Sequence, residues 1–239
     1  MTPSDAVRDA WSREMSQTGP APRPSAHLGT PVAEPSARAR KKADRRLTIL
    51  ESALALIEER GLKGATFELI AERSGVSRGT VFNYFPNKET ILVAYFARQL
   101  DDLARRAAEL RARPTGPGAP EFDGLAEIRY LFAELAGFVQ AHRELVLPIS
   151  FELLDPNEER SRAAYLAIPL VELLRSALKR AQAAGTVRAD YSAERLARTL
   201  ANVYFITALQ WAAYRHDRDA REEFAVALRL ALEGLVAAG

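Results

Sequence analysis

Apolar side chains recur every three or four residues along most of this 239-residue chain from Asp44 onward, whereas the alternation typical of strands is almost absent. The first such stretch continues to Gly61, which is expected to end the helix. Later helical stretches begin near Asn87 and run from about Phe122 to His142, Glu158 to Gly185, Ser192 to Tyr214 and Asp219 to Ala237. The pattern predicts an all-α fold with about nine or ten helices.

Prolines mark the breaks in this pattern. The stretch Pro114–Pro120 separates two helical segments, and Pro148 and Pro156 are expected to bracket a short helix. Pro169 falls inside an otherwise helical pattern, which predicts a kink or a helix boundary at that position.

The segment from Thr66 to Phe85 has the spacing of two short helices joined by a tight turn. Thr66 can cap the first helix, Gly75 can end it in a left-handed conformation, and Ser77 can cap the second. We expect an inward-facing set, Ala71, Val76, Val81 and Phe85, and an outward-facing set, Arg78, Gly79, Thr80, Asn83 and Tyr84. This is the pattern of a helix-turn-helix, although the same geometry also occurs as plain packing.

Positive charge is concentrated around this segment. The net charge is only +2, yet residues 38–88 carry eleven Lys and Arg against six Asp and Glu, a net of +5. A basic N-terminal part on a mildly acidic remainder suits a nucleic-acid-binding protein. The cluster from Arg38 to Arg46 could lie along a DNA backbone or enter a minor groove.

The N-terminal residues differ in composition from the rest. Six of the thirteen prolines lie among the first 36 residues, together with Ala, Ser, Thr and Gly. Because such a segment has little apolar surface to offset chain entropy, we expect residues 1–40 to form a flexible extension.

Between about Arg45 and Leu92, the chain resembles the tetracycline-repressor (TetR) family of transcriptional regulators. The matching residues, in the family's order and spacing, are Thr66, Ile70, Ala71, Gly75, Val76, Ser77, Gly79, Thr80, Val81, Tyr84, Phe85, Lys88 and Leu92. Phe82 departs from the pattern, because the family more often has a tyrosine there whose hydroxyl binds a DNA phosphate.

The resemblance implies a helix-turn-helix DNA-binding head, residues 41–91, and an effector-binding and dimerisation body, residues 92–239. It implies phosphate contacts from Thr66, Tyr84 and Lys88. It implies base-edge contacts from Arg78, Thr80 and Asn83, and the chemistry agrees, because arginine suits guanine, asparagine suits adenine and a threonine methyl suits thymine. The implied DNA-binding residues are Arg45, Thr66, Ser77, Arg78, Gly79, Thr80, Asn83, Tyr84 and Lys88.

The last two long helices are the best candidates for a dimer interface. Helix-turn-helix proteins usually pair two copies about one helical turn apart on DNA, so this chain is expected to form a homodimer. Apolar stripes on these helices give the expected interface residues: Tyr204, Trp211, Phe224, Leu228, Leu232 and Leu235. The alternative is that the stripes pack only within one protomer.

The helices between Phe122 and Gly185 are interrupted by prolines, so we expect gaps that could bind a small, largely apolar organic effector. The expected pocket residues are Tyr130, Phe138, Phe151, Tyr165, Asn202, Ile206 and Gln210. Asn202 and Gln210 lie on an apolar helix and need hydrogen-bond partners, either within the fold or on a ligand.

Composition and motifs exclude several other classes. The chain has no cysteine, so disulfide frameworks, thiolate metal sites and cysteine nucleophiles are excluded. Phosphate-loop, nucleophile-elbow and dinucleotide motifs are missing, and the three histidines lie far apart, so we expect no enzyme activity, cofactor or metal. The longest uncharged stretch, Thr199–Tyr214, is shorter than the roughly 20 residues of a membrane span, so we expect a cytoplasmic protein.

The sequence therefore predicts a one-component transcriptional regulator, most simply a repressor, that binds a palindromic double-stranded operator as a dimer and is released by an effector. Two alternatives stay open. One is an all-helical small-molecule-binding protein or enzyme without sequence-specific DNA binding. The other is a regulator that acts without a ligand, under the control of a protein partner.

Overall fold

The computed structural model describes residues 36–113 and 122–233, which form ten helices. These are α1 (Ala37–Gly64), α2 (Phe67–Ser74), α3 (Arg78–Tyr84), α4 (Lys88–Ala112), α5 (Gly124–Ala141), α6 (Arg143–Leu153), α7 (Glu158–Ala167), α8 (Leu170–Ala183), α9 (Ala193–Tyr214) and α10 (Ala220–Glu233). The prediction of an all-α fold with nine or ten helices is confirmed.

The chain divides into two compact units, Met1–Lys41 and Lys42–Gly239. In the first unit, the described residues begin α1, where the backbone N–H of Ala39 donates to the Ser36 hydroxyl at 3.2 Å. The second unit contains the whole helix-turn-helix and all later helices. The boundary expected between residues 91 and 92 falls inside α4.

Side-chain caps set most helix starts. A side-chain oxygen at the cap position accepts a backbone N–H from the first turn, which satisfies a donor that the helix itself leaves free. The capping residues are Thr66 for α2, Ser77 for α3, Asn87 for α4, Asp123 for α5, Asn157 for α7 and Ser192 for α9. Short polar residues placed just before apolar stretches therefore divide this chain into its helices.

Two apolar clusters form the interior of the second unit. The smaller joins α1, α2, α3 and the start of α4, with Ile49, Ile70, Val81 and Phe85 all fully buried. The larger joins α4 to α10 and includes Phe96, at 2% exposure. Because α4 contributes to both clusters, it physically links the helix-turn-helix to the rest of the unit.

Gly124 allows α5 and α8 to approach very closely. A Cβ atom at this position would lie 2.4 Å from the carbonyl oxygen of Ala177 and 2.5 Å from the backbone nitrogen of Ala181. A position at which two backbones come this close requires glycine.

The predicted breaks agree with the structure in part. Gly185, with a φ of 72°, follows the end of α8, and Pro169 stands between α7 and α8, as predicted. Gly61, with a φ of 71°, kinks α1 three residues before its end at Gly64, where the sequence predicted that the helix would stop. Pro148, expected to flank a short helix, lies inside α6 instead, although its ring nitrogen cannot donate a helical hydrogen bond.

Some predictions fall outside the described residues. These are nearly all of the extension expected at residues 1–40, the break at Pro114–Pro120, the end of the last helix at Ala237, and Leu235. Across the described ranges, no helix has both the length and the apolar character needed to cross a membrane.

Candidate DNA interface and effector site

The turn between α2 and α3 is set by a few local hydrogen bonds. Gly75 has a φ of 67°, and the backbone N–H of Val76 donates to the carbonyl of Ala71 at 3.1 Å, which closes the end of α2. Ser77 then starts α3 by accepting the backbone N–H of Thr80 at 3.1 Å. Because left-handed φ values are easy only for glycine, this position fixes the angle between the two helices.

Helix α3 is anchored inward by two apolar side chains and presents its other face to solvent. Val81 and Phe85 have no exposed surface, which confirms the predicted inward face. The opposite face carries Ser77, Arg78, Gly79 and Asn83, all exposed, with Thr80 half-buried beside them. The structure therefore brings the expected base-contacting residues together on one accessible helix.

Arg78 is held in place on two sides. Its Nε lies 2.9 Å from Oε1 of Glu68 in α2, and its guanidinium carbon lies 5.3 Å from the centroid of the Phe82 ring. The Phe82 ring in turn lies 4.4 Å from that of Phe67, centroid to centroid. Since the Glu68 contact uses Nε, the two terminal nitrogens remain available for the bidentate contact that guanine accepts.

Glu68 remains ionised over a wide pH range. The pKa of its carboxyl is lowered by a hydrogen bond with its own backbone N–H and, next, by the positive charge of Arg78. The ion pair with Arg78 is therefore present at neutral pH.

The residues expected at phosphates lie around α3. Thr66 caps α2, and Tyr84 is half-buried against the small apolar cluster. Lys88 donates from Nζ to the carbonyl oxygens of Leu62 and Lys63, at 2.9 and 3.2 Å, and so closes the end of α1. This second role of Lys88 was not predicted from the sequence.

Two neighbouring arginines at the start of the second unit are both exposed but differ in their contacts. Arg45 is exposed, as a DNA contact requires. Arg46 places its guanidinium carbon 4.8 Å from the centroid of the buried Phe85 ring, and partial burial lowers its pKa. Arg46 therefore stabilises the inner side of α3 through a cation–π contact.

A narrow apolar cavity lies in the larger cluster, between α4, α5, α6 and α9. Its volume is about 20 Å³, which is room for a single water molecule. Its lining residues are Phe96, Phe138, Val139, Val146, Ile149, Ser150, Tyr204, Phe205 and Ala208. An effector could enter here only if the helices separate.

Polar groups in this cavity are few. Tyr204 is 2% exposed, its hydroxyl has no hydrogen-bond partner among the described residues, and burial raises its pKa. Ser150 donates its hydroxyl to the carbonyl of Val146 at 2.8 Å. The Tyr204 hydroxyl is thus a free donor in an otherwise apolar site.

The structure does not bring all the expected pocket residues to this cavity. Of the seven, Phe138 lines it, and Tyr130 packs against the Phe122 ring at 5.8 Å. The other five are exposed: Phe151, Tyr165, Asn202, Ile206 and Gln210. Asn202 and Gln210 face water, so their amides need no partner within the fold.

The expected dimer residues that the structure describes lie inside the protomer. Five of the six are at most 5% exposed: Tyr204, Trp211, Phe224, Leu228 and Leu232. They pack against each other and against α5, because α10 lies on both α5 and α9. This corrects the interface assignment: these side chains pack mainly within one protomer, and the exposed apolar residues of α9 and α10 are Ile206, Val226 and Leu230.

A buried carboxylate connects the cavity to the start of α4. Glu152, at the end of the cavity-lining helix α6, is 4% exposed and accepts from Asn87 Nδ2 at 3.1 Å and from Arg160 at 3.0 Å. Asn87 also caps α4 by accepting the backbone N–H of Thr90 at 2.8 Å. The sequence pattern does not indicate this link, because Asn87 and Glu152 are 65 residues apart.

Comparisons with known proteins agree with this architecture. Residues 49–95 match the bacterial regulatory proteins of the tetR family, and residues 103–234 match the C-terminal domain of TetR/AcrR family transcriptional repressors. The chain belongs to the TetR family. It is thus a helix-turn-helix transcriptional regulator, as the resemblance implied.

Individual TetR-family relatives match different shares of the chain. The repressor FadR of Thermus thermophilus, solved in complex with lauroyl-CoA, is 39% identical and covers 81% of this chain and 96% of its own, with a TM-score of 0.71. The repressor KstR of Rhodococcus jostii (strain RHA1) is 36% identical over 63 residues, which are 26% of this chain and 30% of KstR. The fatty acid metabolism regulator protein of Bacillus subtilis (strain 168) is 31% identical over 70 residues, 29% of this chain and 36% of that protein. The chain therefore matches only about a third of the length of these two curated relatives.

Proposed function

We propose that this TetR-family regulator is a dimeric one-component repressor that binds a palindromic operator and is released by a long-chain acyl-CoA. The observation that carries the DNA-binding part is the outward face of α3, on which Arg78, Thr80 and Asn83 stand clear of the core. The proposed DNA contacts are those named from the sequence, together with Glu68 as the residue that orients Arg78.

The effector class rests on one relative. Thermus thermophilus FadR, similar over nearly its whole length, is described as a repressor in complex with lauroyl-CoA. The apolar cavity beside Tyr204 fits an acyl chain in chemistry, although at about 20 Å³ it must widen to accept one. Entry of the acyl chain would therefore be coupled to movement of the helices that line the cavity.

Helix α6 is the lining element that best explains release from DNA. It carries Ile149 and Ser150 into the cavity and Glu152 to Asn87, which caps α4. The next residue, Lys88, holds the end of α1. An acyl chain that pushes α6 outward would pull on this series of contacts and favour a head spacing that no longer matches two successive major grooves.

The test is selection of duplexes from random DNA by the full-length protein, followed by titration of the selected duplex and a scrambled one. We expect two inverted half-sites about one helical turn apart, and release on adding lauroyl-CoA but not CoA alone. If no sequence is enriched, the DNA-binding proposal is wrong. If the complex persists in saturating lauroyl-CoA, the effector proposal alone is wrong.

A further inference from the structure

A second, larger cavity lies on the surface between α5 and α10. This groove has a volume of about 440 Å³, within the range of small-molecule sites and far larger than the cavity beside Tyr204. Its floor is apolar and consists of Phe132, Phe224, Leu228 and Leu232, with Ala133 and Ala225 at the edges. An elongated apolar molecule could lie along it without any helix separating.

Three arginines surround this apolar floor. Arg129 comes from α5, and Arg221 and Arg229 come from α10. Within residues 36–113 and 122–233, none of the three has an ion-pair partner, whereas nearby Arg111 and Arg180 are both paired with the buried Glu127. The groove therefore has an excess of positive charge, which Glu233 on its lining offsets only in part.

The arginines lie at opposite ends of the groove. The backbone N–H of Ala220 donates to Gln140 Oε1 at 3.0 Å, so the end of α5 meets the start of α10 and the helices run antiparallel. Arg221 lies at that end, where Gly137 leaves room for it: a Cβ at residue 137 would be 3.1 Å from its Nη2. Arg129 and Arg229 are at the other end, about two helical turns, or roughly 12 Å, away.

We propose that this groove binds a single-chain amphiphile with one anionic head group, of the fatty-acid class. The head group would accept hydrogen bonds from Arg129 and Arg229, whose planar guanidinium groups suit a carboxylate, and the chain would lie on the floor. This site is separate from the one beside Tyr204, and the inference does not depend on the proposed function.

Charge and position favour this occupant over a second copy of the chain. The exposed apolar residues that a partner protomer could cover, Val226 and Leu230, do not line the groove, and each is two residues from the floor residue Leu228, which turns it about 160° around α10 from the groove floor. A carboxylate would instead neutralise arginines that have no ion-pair partner among residues 36–113 and 122–233.

The test is calorimetric titration of the full-length protein with sodium laurate, below the concentration at which laurate forms micelles. Dodecanol supplies the same chain without the charge, and acetate supplies the charge without the chain. We expect laurate to bind at least tenfold more tightly than dodecanol, and acetate not to bind measurably.

Variants localise the site. Arg129→Gln with Arg229→Gln is expected to weaken laurate binding at least tenfold, and Ala225→Trp, which fills the groove from its edge, is expected to weaken it as strongly. The matched control is Arg195→Gln with Arg198→Gln, which removes two exposed arginines from α9 outside the groove and should leave the affinity within twofold of the original.

Three results would overturn the proposal. They are no laurate binding to the unaltered protein, equal loss in the groove and control variants, and laurate binding that appears only when dilution separates the protomers, which would mean that a second copy occupies the groove. None of these measurements involves DNA, so they fail or succeed independently of the proposed repressor function.

Discussion

At the scale of single residues, the contacts of Arg78 restrict the guanidinium that we propose reads a base pair. An arginine on an exposed helix normally samples many rotamers, and ordering it on DNA costs conformational entropy. Here Glu68 and the Phe82 ring restrict the guanidinium before DNA arrives. The loss of the tyrosine hydroxyl usual at position 82 is thus accompanied by a ring that supports Arg78.

This arrangement predicts that Glu68→Gln lowers discrimination between the selected operator and one altered at the guanine proposed to bind Arg78. An exposed ion pair contributes less than about 1 kcal/mol, so we expect a two- to fivefold loss, against a larger loss for Arg78→Ala. The measurement is titration of both duplexes by fluorescence anisotropy.

Glu72→Gln is the matched control for this prediction, because it removes the same charge from the exposed side of the same helix. Both variants should raise affinity for any DNA slightly, since each makes the protein more positive. If both change discrimination equally, Glu68 does not orient Arg78.

The sequence predicts helix caps and the left-handed glycine correctly, because these features depend on interactions between residues close together in the chain. The caps at Thr66 and Ser77 and the left-handed Gly75 each involve atoms within five residues, and each was predicted. The Glu68–Arg78 pair depends on the angle between two helices, and the contact of Lys88 with Leu62 spans 26 residues. Such contacts cannot be deduced from helical periodicity.

At the scale of elements, the proposed release from DNA depends most on the relative position of α6 and α4. Asn87 performs two functions there, capping α4 through Oδ1 and binding Glu152 of α6 through Nδ2. Sequence periodicity predicted both helices but misplaced Pro148, because the missing hydrogen bond of a proline is tolerated where surrounding packing maintains the helix.

Asn87→Ser separates the two functions, because serine caps helices about as well as asparagine but has no amide to reach Glu152. We expect operator affinity without effector to stay within about twofold, while the weakening of operator binding by lauroyl-CoA decreases by roughly three- to tenfold. Because coupling is reciprocal, operator DNA should also have less effect on lauroyl-CoA affinity. Titrating each ligand in the presence and absence of the other measures both quantities.

Glu144→Gln, an exposed change on the same helix α6, serves as the control and should leave the coupling intact. Unchanged coupling in Asn87→Ser would show that α6 does not act on the head through Glu152.

At the scale of the whole molecule, the outer face of α9 and α10 is where the sequence and the structure differ most. The periodic stripes were correctly identified as apolar, but periodicity does not indicate which of two apolar surfaces a helix turns toward its own protomer. Burial resolves this: Trp211 and Leu228 are inside, whereas Ile206, Val226 and Leu230 are 54%, 46% and 61% exposed. Exposed apolar residues clustered on two adjacent helices are typical of a protein–protein contact.

If this face joins two protomers, Leu230→Glu should prevent dimerisation. Two glutamates would be buried without partners in each dimer, and because an unpaired buried charge costs several kcal/mol, we expect the dimer to dissociate at least about 100-fold more readily. Sedimentation velocity over a dilution series measures this, and thermal unfolding checks that each protomer still folds. Leu166→Glu places the same charge on an equally exposed leucine of α7, at 70% exposure, and should remain dimeric. Because one α3 helix contacts only a half-site, the Leu230 variant should also lose its preference for the palindrome over a single half-site. If the Leu230→Glu protein is still a dimer, the interface lies elsewhere.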